Sequence, residues 1–486
     1  MDHRFSTASF PAMGLWGFSS AFLLQGAWFR WGFESFLIRS IFGSLFLICV
    51  GGRLAIPPYQ RTFMSLSVAR LLGCMQSWNL VTSRTAACEL HIRLDKDPAA
   101  VVGEMLAANA IPILVGLLTH GPTGMVTDRV ITFLLYIAHS SEAACRAIRH
   151  AGAIEPLLDI LRWLCDNPNS RAQLLENGTS LLMLIVRTPQ PLQQALPIAH
   201  VLVALINTAD QPVSVLCPAL LALSILTQFS REAIVQVVSG VYRRTLSLMT
   251  HENRMVGVSA IRIARCLIQG SIHVSLAMVS EHMADMCLLL LSDDPLVAIE
   301  ASTTVNAIVA EGAYGGIQAV IEGGVVPVLV QRLAAGDADD ETRAEMAFAF
   351  HEIAANGRQA QAEYGVECGC VGPLCSMLAS YHLQAARIAL MSVGAVLGVG
   401  VNKQIIEGLP ENPYCALVEQ AGGVAALQQL LTHGMPELAL LSRMILDIHS
   451  LAAAAAPHNF PEHVAGLPDT DEVATNVSDD LSEPEE

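Results

Sequence analysis

A short phrase recurs along this chain about every 42 to 45 residues, and this period constrains the fold more than any other feature. Each copy combines a small residue, one or two β-branched or small apolar residues, usually a proline, and a leucine-rich run. The clearest copies begin at Asn109, Gly152, Gly324, Gly369 and Gly422. Degenerate copies around positions 196, 240 and 282 fill the gap between the second and third, and the last interval is longer, at 53 residues. A fixed period of this length, with helical patterning between the copies, is typical of an α-solenoid, in which each repeat packs only on its neighbours. Such a fold presents an extended binding surface rather than a catalytic pocket.

The same phrase predicts where helices begin and end. Its proline, such as Pro156 or Pro327, falls in the first turn of a helix, where the missing N–H costs nothing. The glycine before it supplies the left-handed backbone that ends the preceding helix. One repeat is therefore predicted as a helix, a sharp turn and a second helix, with the leucine-rich run at 157–161 on the inner side.

The composition fits closely stacked helices. Hydrophobic residues make up 53% of the 486 positions and charged residues only 15%, and the abundant alanine and leucine are strong helix formers. The formal net charge is −17, and Lys96 and Lys403 are the only lysines, so no basic stripe for nucleic acid is expected. No lysine or arginine follows Arg443, while acidic residues crowd the last 25 positions. A disordered acidic tail is predicted over 456–486.

Cysteine usage and the absence of catalytic motifs both argue against an enzyme. The twelve cysteines are scattered singly through apolar stretches, as expected of free buried thiols in a reducing compartment. Cys368 and Cys370 form one isolated C-x-C pair, whereas a tetrahedral zinc site needs four ligands. The sequence shows no glycine-rich phosphate loop, metal-ligand cluster or Ser/His/Asp spacing. We therefore predict no cofactor, no metal and no catalytic residue.

The first 63 residues raise a separate question. Residues 5–29 carry no charged side chain, and 41–50 form a second apolar run. About 20 apolar residues span a bilayer, but proline and glycine interrupt the first run and the second is too short. Three interpretations stay open: a membrane anchor that leaves the repeats facing the cytosol, a signal peptide, or a mis-assigned start with translation from Met64. The predicted domains are 1–63, a repeat region over 64–455 with about eight to ten repeats, and the tail.

The last repeats carry a more specific signature. The sequence N-P-Y-C-A-L-V-E-Q-A-G-G at 412–423, with the runs at 342–348 and 361–375, resembles the C-terminal armadillo repeats of the importin-α (karyopherin-α) family. Weaker similarity extends over about 84–450, whereas 1–63 has no counterpart. The resemblance implies an all-α fold, a right-handed α-solenoid of armadillo repeats with flanking non-repeat termini. It also implies an adaptor that binds the basic nuclear localisation peptides of cargo proteins, in the cytoplasm and the nucleus.

In that family the third helix of most repeats carries a tryptophan and, four residues later, an asparagine, which together hold the peptide. This chain departs from the pattern, with Phe348 and Glu352 at one such pair of positions. The other pairs are Thr132 with Tyr136, Leu221 with Ile225, Arg262 with Cys266, and Thr303 with Ala307.

Acidic family positions are better retained than the tryptophan and asparagine ladder. Glu300 and Glu345 each lie three residues before a tryptophan position, and Arg262 matches an arginine that the family often has there. The resemblance therefore implies a peptide site made of Glu300, Glu345, Phe348, Glu352 and Arg262. Solvated helix glutamates and a core phenylalanine would explain the same residues about equally well.

One family partner is not expected here. Importin-β is recruited in the family through a basic N-terminal segment, whereas 1–63 contains only widely spaced arginines. Coupling to importin-β by the usual route is therefore uncertain. The alternative function is an armadillo scaffold without nuclear-localisation-signal binding, associated with a membrane if residues 10–50 anchor it.

Overall fold

A computed structural model describes residues 62–124, 126–167, 171–187, 191–229, 237–270, 281–311, 313–336, 338–432 and 434–454. The two apolar N-terminal runs and the predicted acidic tail lie outside these ranges. Every regular element within them is helical, which confirms the all-α class. The chain divides into two compact units, residues 1–164 with 169–181, and residues 165–168 with 182–486.

The first unit is built from short helices around an aliphatic core. Its helices are α1 (Val68–Met75), α2 (Leu80–Lys96), α3 (Pro98–Ala107), α4 (Ala110–Leu118), α5 (Thr127–Ser140), α6 (Glu142–His150), α7 (Ile154–Asp166) and most of α8 (Ala172–Ile185). Phe133 of α5 is the largest of the side chains that are fully buried.

The second unit continues the same pattern. Its helices up to residue 311 are α9 (Leu192–Asn207), α10 (Val213–Phe229), α11 (Tyr242–Ser247) after a 3₁₀ turn at Ser239–Val241, α12 (Arg254–Gly270), α13 (Met283–Leu290) and α14 (Pro295–Glu311). They are followed by α15 (Ala313–Glu322), α16 (Val325–Ala335), α17 (Asp340–Asn356), α18 (Gln359–Glu367), α19 (Val371–Met377), α20 (Leu383–Glu407), α21 (Cys415–Gln420), α22 (Gly423–Leu431) and α23 (Pro436–Ala454).

A complete repeat contains three helices, as the resemblance implied, rather than the two predicted from the recurring phrase alone. In the second unit α15 and α16 meet at a bend of 72°, and the longer α17 follows as the third helix. The third helices α10, α12, α14, α17, α20 and α23 each pack on the next in this order. The recurring phrase marks the second helix of a repeat. In the leucine-rich run at 157–161 of α7, the four aliphatic side chains are buried and Asp159 is exposed. The solenoid class is confirmed.

The turns that start the second helices confirm the chemistry of the recurring phrase. Gly152, Gly324 and Gly422 have φ values of +83°, +71° and +74°, in the left-handed region that favours glycine. Asn109 takes the same place in the first copy with φ +52°, and asparagine is the other residue that tolerates this conformation. Pro156 falls within the first turn of α7, as predicted.

Apolar composition in the described residues is explained by packing between helices. Among the described helices, α20 is long and apolar enough to cross a membrane, but most of its apolar stretch is buried inside the protein. It packs between α17 and α23. The cysteines that the structure describes are free thiols, and burial raises the pKa of Cys370 to about 12, which keeps that thiol protonated.

Candidate peptide-binding surfaces

One helix face in the second unit brings together three of the predicted site residues. Glu341, Glu345, Phe348 and Glu352 are spaced three or four residues apart on α17 and therefore share a face, here called the acidic face of α17. Glu341 is exposed and the other three are half-buried. The face thus offers three carboxylates around one aromatic ring.

The carboxylates of this face are held by amides rather than by cations. Asn306 of α14 donates from Nδ2 to Glu345 Oε2 at 2.7 Å and to the Glu345 carbonyl at 3.0 Å. Asn356 donates from Nδ2 to Glu352 Oε2 at 2.7 Å. Within the described ranges, no lysine or arginine nitrogen lies within 4.0 Å of either carboxylate. Both glutamates therefore keep their negative charge uncompensated and retain lone pairs for another donor.

Phe348 lies between Glu345 and Glu352 along the helix and is only half-buried. Its ring centroid is 5.9 Å from that of His351, with the planes tilted by 36°. An aromatic ring in this position presents apolar surface beside two negative charges. That combination suits the alkyl stem and ammonium group of a lysine side chain.

An aspartate before α17 fixes the start of this helix. Asp339 accepts hydrogen bonds from the Thr342 backbone N–H at 2.9 Å and from the Thr342 hydroxyl at 2.8 Å. Partial desolvation raises the pKa of Asp339, but hydrogen bonds from Thr342, from its own backbone and from that of Glu341 outweigh it. Its pKa therefore lies below the ordinary 3.8.

Asp339→Ala should lower the free energy of unfolding by about 1 kcal/mol at neutral pH, because the first turn of α17 loses its cap. Since the pKa is depressed in the folded state, this contribution is present above the ordinary 3.8 and is lost as pH falls through the folded-state value. Hydrogen exchange of the first turn of α17, measured at neutral and acid pH, checks both statements. Asp339→Asn keeps a capping oxygen and should lose little; an equal loss in both variants would contradict the capping role.

Glu300 and Arg262, the other predicted site residues, form a separate cluster. Arg262 donates from Nε to Glu300 Oε1 at 2.6 Å, and Arg265 donates from Nη1 to Glu300 Oε2 at 2.7 Å. Glu300 is 8% exposed. This cluster of two arginines and one glutamate links α12 to α14 and carries a net positive charge. A lysine of a peptide would therefore have to compete with both arginines for the Glu300 carboxylate. A peptide-binding role for Glu300 and Arg262 stays a prediction.

The remaining substituted ladder positions fall into two groups. In the second unit, Cys266 and Ala307 are buried, and the Thr303 hydroxyl donates to the carbonyl of Ile299 on its own helix. Leu221 and Ile225 are half-buried on α10. These positions present little polar chemistry to a ligand.

Thr132 and Tyr136 instead line a cleft of about 920 Å³ in the first unit, here called the α2–α5–α8 cleft. Asn177 of α8, which is not among the predicted site residues, donates from Nδ2 to Thr132 Oγ1 at 3.1 Å. Its separation from Thr132 is 45 residues, so the repeat period was the signal that could have identified it. The lining residues are His91, Asp128, Arg129, Thr132, Leu135, Tyr136, His139, Arg171, Ala172, Gln173, Leu174 and Asn177.

Helical repeats stacked within each unit, with side-chain surfaces on their third helices, are the arrangement of an armadillo-type α-solenoid. The sequence of this chain is similar to importin α subunits. The chain is 29% identical over 388 residues to importin subunit alpha-1b of Oryza sativa subsp. japonica, covering 79% of this chain and 70% of that protein. It is 28% identical over 292 residues to importin subunit alpha-4 of Arabidopsis thaliana, covering 59% of this chain and 52% of that protein.

Structural comparison agrees with the fold assignment. An engineered protein of known crystal structure superposes with a TM-score of 0.59 at 23% identity, covering 79% of this chain and 98% of that chain. No protein-family profile matches the sequence. The resemblance to importin-α that the C-terminal repeats indicated is therefore confirmed, for a diverged relative, as is the non-enzymatic class.

Proposed function

We propose that this chain is an importin-α-like adaptor that binds lysine-rich nuclear localisation peptides through the acidic face of α17. The observation that carries the proposal is the pair of uncompensated carboxylates, Glu345 and Glu352, on either side of Phe348. Similarity to importin α subunits supports it. Cargo proteins with basic peptide signals are the proposed partners, and the cytoplasm and nucleus the proposed locations.

The chemistry of the face favours lysine side chains. An ammonium group at Glu345 or at Glu352 gains a charge-assisted hydrogen bond to that carboxylate. Its alkyl stem lies against the ring of Phe348, which offers a weaker cation–π attraction than a tryptophan would. Asn306 holds Glu345 in place through two hydrogen bonds, so little side-chain freedom is lost on binding. Because Phe348 stands in place of the full series of tryptophan and asparagine positions, the affinity for a peptide should depend strongly on the attraction between its lysines and the glutamates.

A fluorescence-anisotropy titration of a labelled lysine-rich nuclear localisation peptide against the full chain tests this proposal. We expect saturable binding that weakens as salt screens the carboxylates. Glu345→Lys with Glu352→Lys should weaken binding by at least about tenfold, because the double variant places like charges opposite the peptide. A peptide with its lysines replaced by uncharged residues should not bind.

Glu104→Lys is the matched control, since Glu104 is an exposed glutamate on α3, far in sequence from α17. It makes the same change of charge as each single substitution of the double variant, so it controls for Glu345→Lys or Glu352→Lys alone, and it should leave the affinity unaltered. Circular dichroism of each variant reports whether the helices are intact. Failure of the intact chain to bind the peptide would contradict the proposal and would favour the armadillo scaffold without nuclear-localisation-signal binding.

A further inference from the structure

The α2–α5–α8 cleft has the opposite charge character from the acidic face of α17. Two arginines line it, Arg129 and Arg171, together with His91 and His139, which carry charge only when protonated. Asp128 is the one carboxylate in the lining. Arg171 Nη1 lies 3.0 Å from Asp128 Oδ1, so that carboxylate is already paired. The positive charge of Arg129 is left uncompensated in the lining.

Arg129 is positioned to take an anionic partner. It is half-buried on α5, and its Nε is shielded from solvent with no hydrogen-bond acceptor among the residues that the structure describes. Arg171, by contrast, is fixed by Asp128 and by the Pro122 carbonyl, to which Nη1 donates at 2.8 Å. A partly desolvated guanidinium without an acceptor is costly unless a ligand supplies one.

The rest of the lining suits a peptide chain. Gln173 Nε2 donates to Asn177 Oδ1 at 3.0 Å, and Asn177 in turn donates to Thr132, so the amides form an ordered polar wall. Tyr136 is 37% exposed at this surface and offers both an aromatic face and a hydroxyl. Ordered amides and an exposed tyrosine are side chains that contact peptide backbones well.

We propose that the α2–α5–α8 cleft binds a short acidic peptide segment of a partner protein, with Arg129 as the principal contact for a carboxylate. Arginine meets a carboxylate through two parallel N–H···O bonds, which gives direction as well as attraction. A basic peptide would be repelled by the uncompensated charge of Arg129. Nucleic acid is disfavoured because two arginines form no basic stripe that could follow a phosphate backbone.

The test uses the full chain and a fluorescein-labelled oligoglutamate peptide in an anisotropy titration. We expect saturable binding that Arg129→Glu weakens by at least about tenfold, since that substitution replaces the contact by a repulsion. Arg129→Lys keeps the charge but loses the bidentate geometry, so its affinity should fall between those of the intact chain and Arg129→Glu. The control is Arg162→Glu on α7, an exposed arginine outside the lining.

Each other outcome overturns the proposal. An Arg129→Glu variant that remains helical by circular dichroism and binds as tightly as the intact chain would exclude the contact. An equal loss in Arg162→Glu would mean a nonspecific charge effect. Tighter binding of an oligonucleotide of equal charge would assign the cleft to nucleic acid, and tighter binding of a phosphopeptide than of oligoglutamate would assign it to phosphate. These outcomes are independent of the lysine-peptide titration, because that experiment probes different residues with the opposite charge.

Discussion

Gly400→Ala is expected to destabilise the C-terminal repeats by about 2 kcal/mol, although alanine is the better helix former by about 1 kcal/mol. Gly400 lies in α20 against the side chain of Asn412. A Cβ at position 400 would overlap the amide oxygen of Asn412 and lie 2.7 Å from its Cγ and 2.9 Å from Cδ2 of Tyr414. Overpacking of this kind costs about 1–3 kcal/mol, and displaced hydrogen bonds add to it.

The neighbour cannot move away at low cost. Asn412 is 2% exposed, donates from Nδ2 to the Leu397 carbonyl at 2.9 Å and accepts from the Tyr414 backbone N–H at 2.9 Å. Shifting its side chain to admit a methyl group would break both bonds inside the core. The packing cost therefore exceeds the gain in helix propensity.

Gly398→Ala provides the matched control, because a Cβ there meets nothing within 4 Å outside its own helix. This variant should be neutral or stabilised by up to about 1 kcal/mol. Hydrogen exchange of α20 and α21 is the suitable measurement, since repeat proteins open locally and a single global unfolding energy is poorly defined for them. Equal protection in the two variants would contradict the close contact between Gly400 and Asn412.

The same contact explains why one phrase was so informative in the sequence. Asn412 and Tyr414 belong to the N-P-Y-C run that carried the resemblance to importin-α, and both are buried. They fix the turn between α20 and α21 rather than contacting a ligand. The phrase therefore predicted the fold of the last repeats directly, but it was silent about the binding surface.

The turns that start the second helices were predictable because their conformation depends on residues close together in the sequence. A glycine or asparagine with positive φ followed by a first-turn proline is a local arrangement, and Gly324 with Pro327 follows it as predicted. The recurring phrase did not predict the third helix of each repeat, since no comparable phrase marks its start; the resemblance to importin-α implied it. At the start of the third helix α17, the sequence offers only Asp339 as an N-cap, a residue type that is common at helix starts and does not identify a repeat.

Pairing between repeats was only partly predictable. The period places partners about one repeat apart, but which side chains meet depends on how adjacent helices are staggered. Asn306 reaches Glu345 across 39 residues, and Asn177 reaches Thr132 across 45. The sequence placed Glu300 and Glu345 in equivalent positions. Their surroundings in the structure differ: two arginines neutralise Glu300, whereas the amide of Asn306 binds Glu345.

Glu300→Gln should lower the free energy of local unfolding of α12 and α14 by about 3 kcal/mol. Glutamine keeps the shape of the side chain but leaves Arg262 and Arg265 facing each other without a counter-charge. Their side chains are 27% and 18% exposed, so solvent relieves only part of that repulsion. Breaking a buried pair from one side costs more than the pair contributes, because uncompensated charge remains.

Two controls separate this structural role from a role in peptide binding. Glu142→Gln breaks an ion pair with Arg146 in which both side chains are at least half exposed, and it should cost only a few tenths of a kcal/mol. Replacing the whole cluster, with Glu300→Leu, Arg262→Met and Arg265→Met, should recover most of the lost stability, because no charge is left unpaired. Hydrogen exchange of α12 and α14 measures each loss. If Glu300→Gln instead weakened lysine-peptide binding and left exchange unchanged, Glu300 would face the ligand as the resemblance to importin-α implies, and the two arginines would be its supports rather than its partners.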